Sequence, residues 1–411
     1  MQKNQARPHW IPMLAAMAAA CGTAASQDFS LGVADSNPLG IGNFVPTRMQ
    51  LLEDSGGVES GIKGDFGVML DLETVYDSNF FLAANNPESE LSVNFTPSLN
   101  YTTDPEGGAR WTFTANYEPT ARAFLDNSDL NDIDQSGDIR LNFQGARTQA
   151  SIFARYNELS GTDRLTGAFS SGSIFTGGII ANREIGARTS INGGLSYAQS
   201  EYSSAGEEGS NVFSTFVGGL WSASDRTSMG SSLRYTLSES DNTGSRDAWA
   251  LLAELRYRVG ERIYLSASLG PEYASDSRSG DSSISLRGDI RSRYVINERW
   301  SWVSSLRSAS IPSPSDTGYI VNNYSFITSL EHQLLRATVI GGVEFDYSEY
   351  EAVGATTVAR DNEENLSLFL TYSRNLFSDR VSAYSTLRYN TNSGDTDWSQ
   401  WLLSLGLSVP F

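Results

Sequence analysis

The chain has 411 residues, 39% hydrophobic and 19% charged, with mean hydropathy −0.30 and a formal charge of −19. At about 150 residues per domain, that length suggests two or three domains, with one large β-barrel as the standing exception. No run beyond residue 25 approaches the ~20 apolar residues of a membrane helix, and 19 Phe, 18 Tyr and 8 Trp are too many aromatics for a disordered chain.

Residues 1–25 read as a secretory signal peptide. Lys3 and Arg7 give a cationic start, Ile11 to Ala20 an apolar run, and Thr23, Ala24 and Ala25 a small-residue cleavage site. Lipidation at Cys21 is the competing reading, but Ala18 to Ala20 lack the usual preceding Leu. Cleavage would leave 27 basic and 48 acidic residues, a net charge of −21. That balance disfavours nucleic acid as a partner, which needs a basic face. It would also leave no cysteine, and His332 as the one histidine, so no cofactor or metal site is expected. Residues 26–61, with Pro38, Gly40, Gly42, Pro46, Gly56 and Gly57, read as a flexible periplasmic leader. A tail folded into the barrel lumen is the alternative.

From residue 62 to 411 the chain repeats. A turn-forming residue, any residue, Arg and a strand former recur as Gly108-Ala109-Arg110-Trp111, Gly145-Ala146-Arg147-Thr148 and Gly186-Ala187-Arg188-Thr189. Ser224-Asp225-Arg226-Thr227, Gly260-Glu261-Arg262-Ile263, Asn297-Glu298-Arg299-Trp300, the degenerate Leu335-Arg336 and Ser378-Asp379-Arg380-Val381 complete the series. Successive arginines are 37, 41, 38, 36, 37, 37 and 44 residues apart. Between them lie pairs of alternating stretches, such as Trp111/Phe113/Ala115/Tyr117/Pro119 against Thr112/Thr114/Asn116/Glu118/Thr120, the signature of a strand between two environments.

This pattern predicts 18 strands, centred near residues 70, 96, 117, 141, 154, 178, 195, 216, 233, 252, 268, 289, 305, 328, 343, 369, 386 and 404. The Arg-bearing connections are short. The others are longer and more polar: 78–89, 125–136, 160–171, 203–210, 240–246, 276–281, 311–321, 351–362 and 393–397. Strands of ~12–14 residues with alternating short and long connections describe an all-β fold, a transmembrane antiparallel up-and-down β-barrel of about 18 strands in the bacterial outer membrane. A soluble sandwich, propeller or solenoid would also alternate. The export signal, the aromatics at strand ends and a final strand ending in Phe411 favour the membrane. Expected partners are outer-membrane lipid, lipopolysaccharide and, through Phe411, the barrel-assembly machinery.

If the apolar series faces lipid, the polar series lines a lumen too wide for side chains to fill. That series places Arg122, Arg140, Arg155, Arg234, Arg256, Arg258, Arg287, Arg291, Arg293, Arg307 and Arg388 inside. Against them it sets Glu118, Glu254, Asp289, Glu331, Glu344 and Asp346. The expectation is an Arg-rich lumen, densest at Arg287, Asp289, Arg291 and Arg293, with Arg234, Arg256, Arg258 and Arg307 completing the candidate selectivity set. Cross-strand pairing that stiffens the wall is the plainer role for these charges. A basic track for anionic solutes is the functional one.

The turn arginines read as rim anchors at lipid headgroups. The acidic groups Asp126, Asp129, Asp132, Asp134 and Asp138, then Glu207 and Glu208, then Asp361, Glu363 and Glu364, read as solvated outer loops. Asp132-x-Asp134-x-Ser136-Gly137 resembles half a calcium loop, but Phe143 stands where its bidentate Glu should be. The pairs Gly177-Gly178, Gly193-Gly194, Gly218-Gly219 and Gly341-Gly342 read as sites of bending and close packing.

Tyr76-Asp77-Ser78-Asn79-Phe80, then Phe95-Thr96-Pro97-Ser98-Leu99 and Tyr117, together resemble the opening of the outer-membrane family called beta-barrel porin 2. The resemblance covers residues 62–411. It implies a porin-like barrel, an association with exopolysaccharide or capsule export and its export components, and no catalytic residues. An enzyme is not expected, since His332 is the one neutral-pH base and shares parity with Tyr324, Phe326 and Leu330 on the lipid side. The expected function is a channel for polar, anionic solutes, acidic exopolysaccharide among them. A structural or adhesive barrel sealed by its loops is the alternative.

Overall fold

The computed structural model describes residues 66–103, 110–162, 169–202, 209–240, 244–277, 280, 282–312, 319–352, 361–376 and 381–411. The expected signal peptide and leader, Glu207, Glu208 and Arg380 lie outside these residues.

The strands in chain order are β1 (Phe66–Asp77), β2 (Glu90–Thr102), β3 (Trp111–Phe124), β4 (Asp132–Gln144), β5 (Thr148–Thr162) and β6 (Phe169–Glu184). Then come β7 (Thr189–Tyr202), β8 (Ser210–Ser224), β9 (Thr227–Ser240), β10 (Gly244–Val259), β11 (Ile263–Asp276) and β12 (Ser282–Asn297). The last six are β13 (Trp300–Pro312), β14 (Tyr319–Gln333), β15 (Ala337–Ala352), β16 (Glu363–Leu376), β17 (Val381–Ser393) and β18 (Trp398–Pro410). One turn of 3-10 helix, Ser128–Leu130, interrupts the loop before β4. Each strand pairs antiparallel with its chain neighbour, and β1 pairs with β18, so the 18-stranded sheet closes.

All 18 expected strands are present, but several are longer than expected. β6, β10, β12 and β15 reach 16 residues, and β4 takes in the last five residues of the expected 125–136 loop. The pairing Arg122–Asp132 and the Arg122–Asp134 ion pair at 3.1 Å carry that ladder outward. Asp132, Asp134 and Asp138 therefore belong to strand β4, not to a solvated loop, and Glu363 and Glu364 belong to β16.

Among the described residues, the recurring arginine marks the first rung of seven upward strands, β3, β5, β7, β9, β11, β13 and β15. The main-chain oxygens of Arg110, Arg147, Arg188, Arg226, Arg262, Arg299 and Arg336 accept from Gln144, Glu184, Ser222, Arg258, Val295, Gln333 and Asn375. Their side chains are exposed, as a rim anchor requires.

Period-two alternation sends one side-chain series out and the other in. The outward series is apolar and exposed: Leu72, Ile152, Val217, Leu251 and Leu405 are among its members, Leu251 at 58%. A belt of Tyr76, Tyr117, Tyr156, Tyr197, Tyr235, Trp249, Tyr273, Tyr324, Tyr347, Tyr389 and Trp401 rings its outer edge, with Tyr235–Trp249 centroids 4.6 Å apart and Tyr389–Trp401 4.7 Å apart. The hydroxyls of Tyr117, Tyr197 and Tyr235 donate to Gln135, Asn211 and Asp247. Trp111, Trp221, Tyr257 and Trp302 stand on the opposite edge. Eight residues separate Trp249 from Tyr257, which at ~3.3 Å per residue and ~40° tilt is about 20 Å, close to the ~25 Å apolar band of an outer-membrane barrel. Such an exterior needs hydrocarbon around it. The molecule is a closed outer-membrane-type barrel.

Several paired glycines serve the inward face. Gly178, Gly194, Gly342 and Gly406 stand directly opposite Phe153, Phe216, Phe369 and Tyr384. Each inward ring lies across its glycine, in the space where a Cβ would go. At Gly406, the three atoms nearest that space all belong to the Tyr384 ring and hydroxyl.

Two stability outcomes follow from this packing. Leu251→Arg should cost about 2–4 kcal/mol in denaturant unfolding from lipid vesicles, as expected for a cation at the lipid midplane. Gly406→Ala should cost about 1–3 kcal/mol by overpacking, and adding Tyr384→Ala should recover part of it, so that the double variant loses less than the two single losses combined.

Candidate functional site

From ~4.8 Å strand spacing and ~40° tilt, 18 strands form a backbone circle about 35 Å across. The inward residues of that circle are the candidate site, and register arranges them in rows. One row runs across five strands as Phe216, Arg234, Ala250, Glu272 and Ser285. The Arg234 guanidinium lies 5.9 Å from the Phe216 ring centroid. Small residues Gly230, Ala248, Ala250 and Gly270 form the bed beside it, so long side chains can lie along the wall.

Arg287 Nη1 meets Glu272 Oε2 at 2.5 Å, and Arg291 Nε meets Asp289 Oδ1 at 3.1 Å. Arg307 stands opposite Asp289, Arg246 opposite Asp276, Arg291 opposite Ser266 and Arg293 opposite Tyr264. The Nε atoms of Arg234 and Arg293 are buried without a hydrogen-bond partner. Arg256 and Arg258 complete the wall toward the periplasmic lip. The structure thus places every candidate selectivity residue (Arg234, Arg256, Arg258, Arg287, Asp289, Arg291, Arg293, Arg307) inward, and gathers them on one sector, β9–β13. Arg246, expected in a loop, joins them because β10 begins at Gly244.

The lining as a whole is not Arg-rich, and here the sequence expectation is corrected. Asp71, Glu73, Asp77, Glu90, Asp132, Asp134, Asp138, Glu272 and Glu363 share the inward register with the six carboxylates expected there. These acids alternate with apolar partners like their neighbours, so the signal was present in the sequence. The charges also segregate. β14–β18, β1 and β2 carry Glu331, Glu344, Asp346, Glu363, Asp71, Glu73, Asp77 and Glu90 against Arg388. β3–β5 are mixed. Inward charge on β6–β8 is confined to Glu184 at the periplasmic end. In a ring of 18, β10 lies nine strands from β1 either way round, so the basic sector faces the acidic one.

The acidic sector is knit by side chains across the closing seam. Gln400 Nε2 donates to Asp77 Oδ2 at 2.7 Å, and Asn390 Nδ2 to Gln400 Oε1 at 3.0 Å. Ser367 Oγ and Arg388 Nε both donate to Asn390 Oδ1, at 2.7 and 2.9 Å. Arg388 also pairs with Glu344. The chain of bonds runs over β1, β18, β17, β16 and β15, and leaves these residues largely buried.

His332 faces outward beside the periplasmic turn, stacked on Trp300 at 4.0 Å. Among the described residues, no group of three or more His, Cys, Asp or Glu is arranged to hold a metal ion.

No protein-family model matches the chain, so the resemblance to beta-barrel porin 2 remains one of short motifs. No curated protein matches it either. Among solved structures, the unliganded ferric citrate transporter FecA is 10% identical, covering 82% of this chain and 61% of its own length, with TM-score 0.44. The chain therefore spans under two thirds of that transporter. OccK2 (OpdF) of Pseudomonas aeruginosa is 10% identical over 84% of this chain and 98% of its own, with TM-score 0.45. OpdK of the same organism, solved with vanillate, is 12% identical over 84% and 99%, with TM-score 0.46. The closed barrel is established by its own ladder, not by these distant likenesses.

Proposed function

We infer that the barrel is a porin-like channel for polar solutes, in which the β9–β13 arginines draw anionic groups through the lumen. The observation that carries this reading is the basic sector itself, with Arg234, Arg287, Arg291, Arg293 and Arg307 set inward over a bed of small residues. Guanidinium groups offer fixed charge and a fork of donors that match carboxylate or phosphate. Glu272 and Asp289 neutralise part of that charge, so the sector is a moderated attractor: strong enough to enrich an anion, weak enough to release it.

An acidic exopolysaccharide has the right chemistry for this wall. That extension draws its support from the Tyr76–Phe80 resemblance, and it would bring polysaccharide-export components as partners. Outer-membrane lipid and lipopolysaccharide suit the aromatic-edged exterior, and an exposed Phe411, whose N–H donates to the Val68 carbonyl at 2.8 Å, suits recognition by assembly machinery.

The test is planar-bilayer conductance under a salt gradient. The wild type should conduct with anion preference. Arg287→Ala/Arg291→Ala/Arg293→Ala should lower the anion-to-cation permeability ratio several-fold, about the scale expected for removing fixed pore charge, while Glu272→Gln should raise it. A barrel that does not conduct, or a triple variant with unchanged reversal potential, would contradict the reading.

A further inference from the structure

The loop between β1 and β2, residues 78–89, does not stand away from the barrel. Its first residue stays in register with β18: Ser78 N–H donates to the Trp401 carbonyl at 3.0 Å, and Ser78 Oγ accepts from Trp401 N–H at 2.7 Å. Asn79 then spends its whole amide on holding the loop. Its Nδ2 donates to the carbonyls of Ala83 and Ser399, each at 3.0 Å, and its Oδ1 accepts from Ala83 N–H at 2.9 Å. Its main-chain N–H donates to Asp77 Oδ1 at 2.8 Å, and its carbonyl accepts from Gln400 Nε2 at 3.3 Å. Asp77 and Gln400 are inward residues of the seam, so the loop springs from the lumen side of the wall.

Beyond Asn79 the chain turns across the mouth. Phe80 packs on Phe124 at the end of β3, with centroids 5.1 Å apart, and on Phe169 at the start of β6, at 6.0 Å. Phe124 and Phe169 close the cluster at 5.8 Å. Five strand spacings separate β1 from β6, about 25–30 Å along the wall, so these rings meet only by leaning into the opening. Phe80 is 8% exposed and Leu82 2%. Leu82 also holds φ at +51°, a left-handed conformation costly for a branched side chain. It is kept there by its N–H bond to the Asn79 carbonyl at 3.1 Å. A buried residue held in such a state marks a loop whose shape is imposed by its surroundings.

We propose that residues 78–89 form a fixed strap across the β1–β6 sector of the outer mouth and set the size of solute the channel admits. Phe80 is the group in the path and Asn79 the residue that positions it. This rests on the channel reading and adds its sieve. It also gives Tyr76-Asp77-Ser78-Asn79-Phe80 a physical meaning: the end of a strand, an inward acceptor, a register-keeping hydroxyl, an amide latch and an apolar bolt.

The experiment compares wild type, Asn79→Ala, Phe80→Gly and Phe80→Tyr by single-channel conductance and by liposome swelling with saccharides of increasing length. Heat-modifiable migration first establishes that each is folded; neither substituted residue lies in a strand. Phe80→Gly and Asn79→Ala should raise conductance about two-fold and admit longer saccharides, as widening a constriction does, while Phe80→Tyr should behave as wild type. A silent wild type opened by either variant overturns the sieve, since the strap would then close the mouth outright instead of setting a size limit. A conducting wild type whose conductance and exclusion limit survive Phe80→Gly overturns the strap and leaves the channel standing. A response to Phe80→Gly but not to Asn79→Ala removes Asn79's positioning role. Silence in all four overturns both readings.

Discussion

Backbone amides in hydrocarbon have no water to bond, and an unpaired group there costs several kcal/mol. Every feature of this barrel answers to that constraint. It requires the ladder between β1 and β18, from Met69 opposite Pro410 to Asp77 opposite Leu402, because a sheet left open there would expose two edges to lipid. It requires strands long enough to cross, and it sorts side chains by solvent: Leu72, Val217 and Leu405 outward, Asp71, Ser214 and Ser404 inward.

Closure leaves a lumen, and the sequence spends its polar residues there. Asp77, Gln400, Asn390, Ser367, Arg388 and Glu344 bind the seam from inside while the backbone binds it from within the wall. Opposite, β9–β13 hold arginines over small residues. An overall acidic chain thereby presents one basic strip. Lower in the wall the inward rings of Phe153, Phe216, Phe369 and Tyr384 lie over glycines, which keeps their bulk from the passage. At the outer mouth the same residue type does the reverse: Phe80, Phe124 and Phe169 gather away from the wall.

Strand number, order and facing were legible in the sequence because period-two alternation is a direct image of the two solvents. The turn arginines were legible for a related reason, since among the described residues seven of them begin an upward strand with a recurring main-chain rung. The charge balance of the lining was legible in principle, yet Asp71, Glu73 and Glu90 lie among apolar partners and only the register shows them sharing a wall. Outer boundaries were obscured where polar residues continue a strand past the bilayer: Asp132 and Asp134 look like loop until Arg122 pairs with them. The inward course of residues 78–89 was not legible at all. It depends on Asn79 finding Ser399, and on Phe80 finding Phe169, contacts between parts of the chain that no local pattern joins.

Trp401 and Trp398 offer the most direct test of which solvent each face meets. They sit three residues apart on β18, Trp401 outward and Trp398 inward and buried. In vesicles of brominated lipid, a variant keeping Trp401 as its one tryptophan should lose most of its fluorescence, and one keeping Trp398 should retain it. Equal quenching of the two, or protein that stays dissolved without lipid or detergent, would show that hydrocarbon does not cover the outer face.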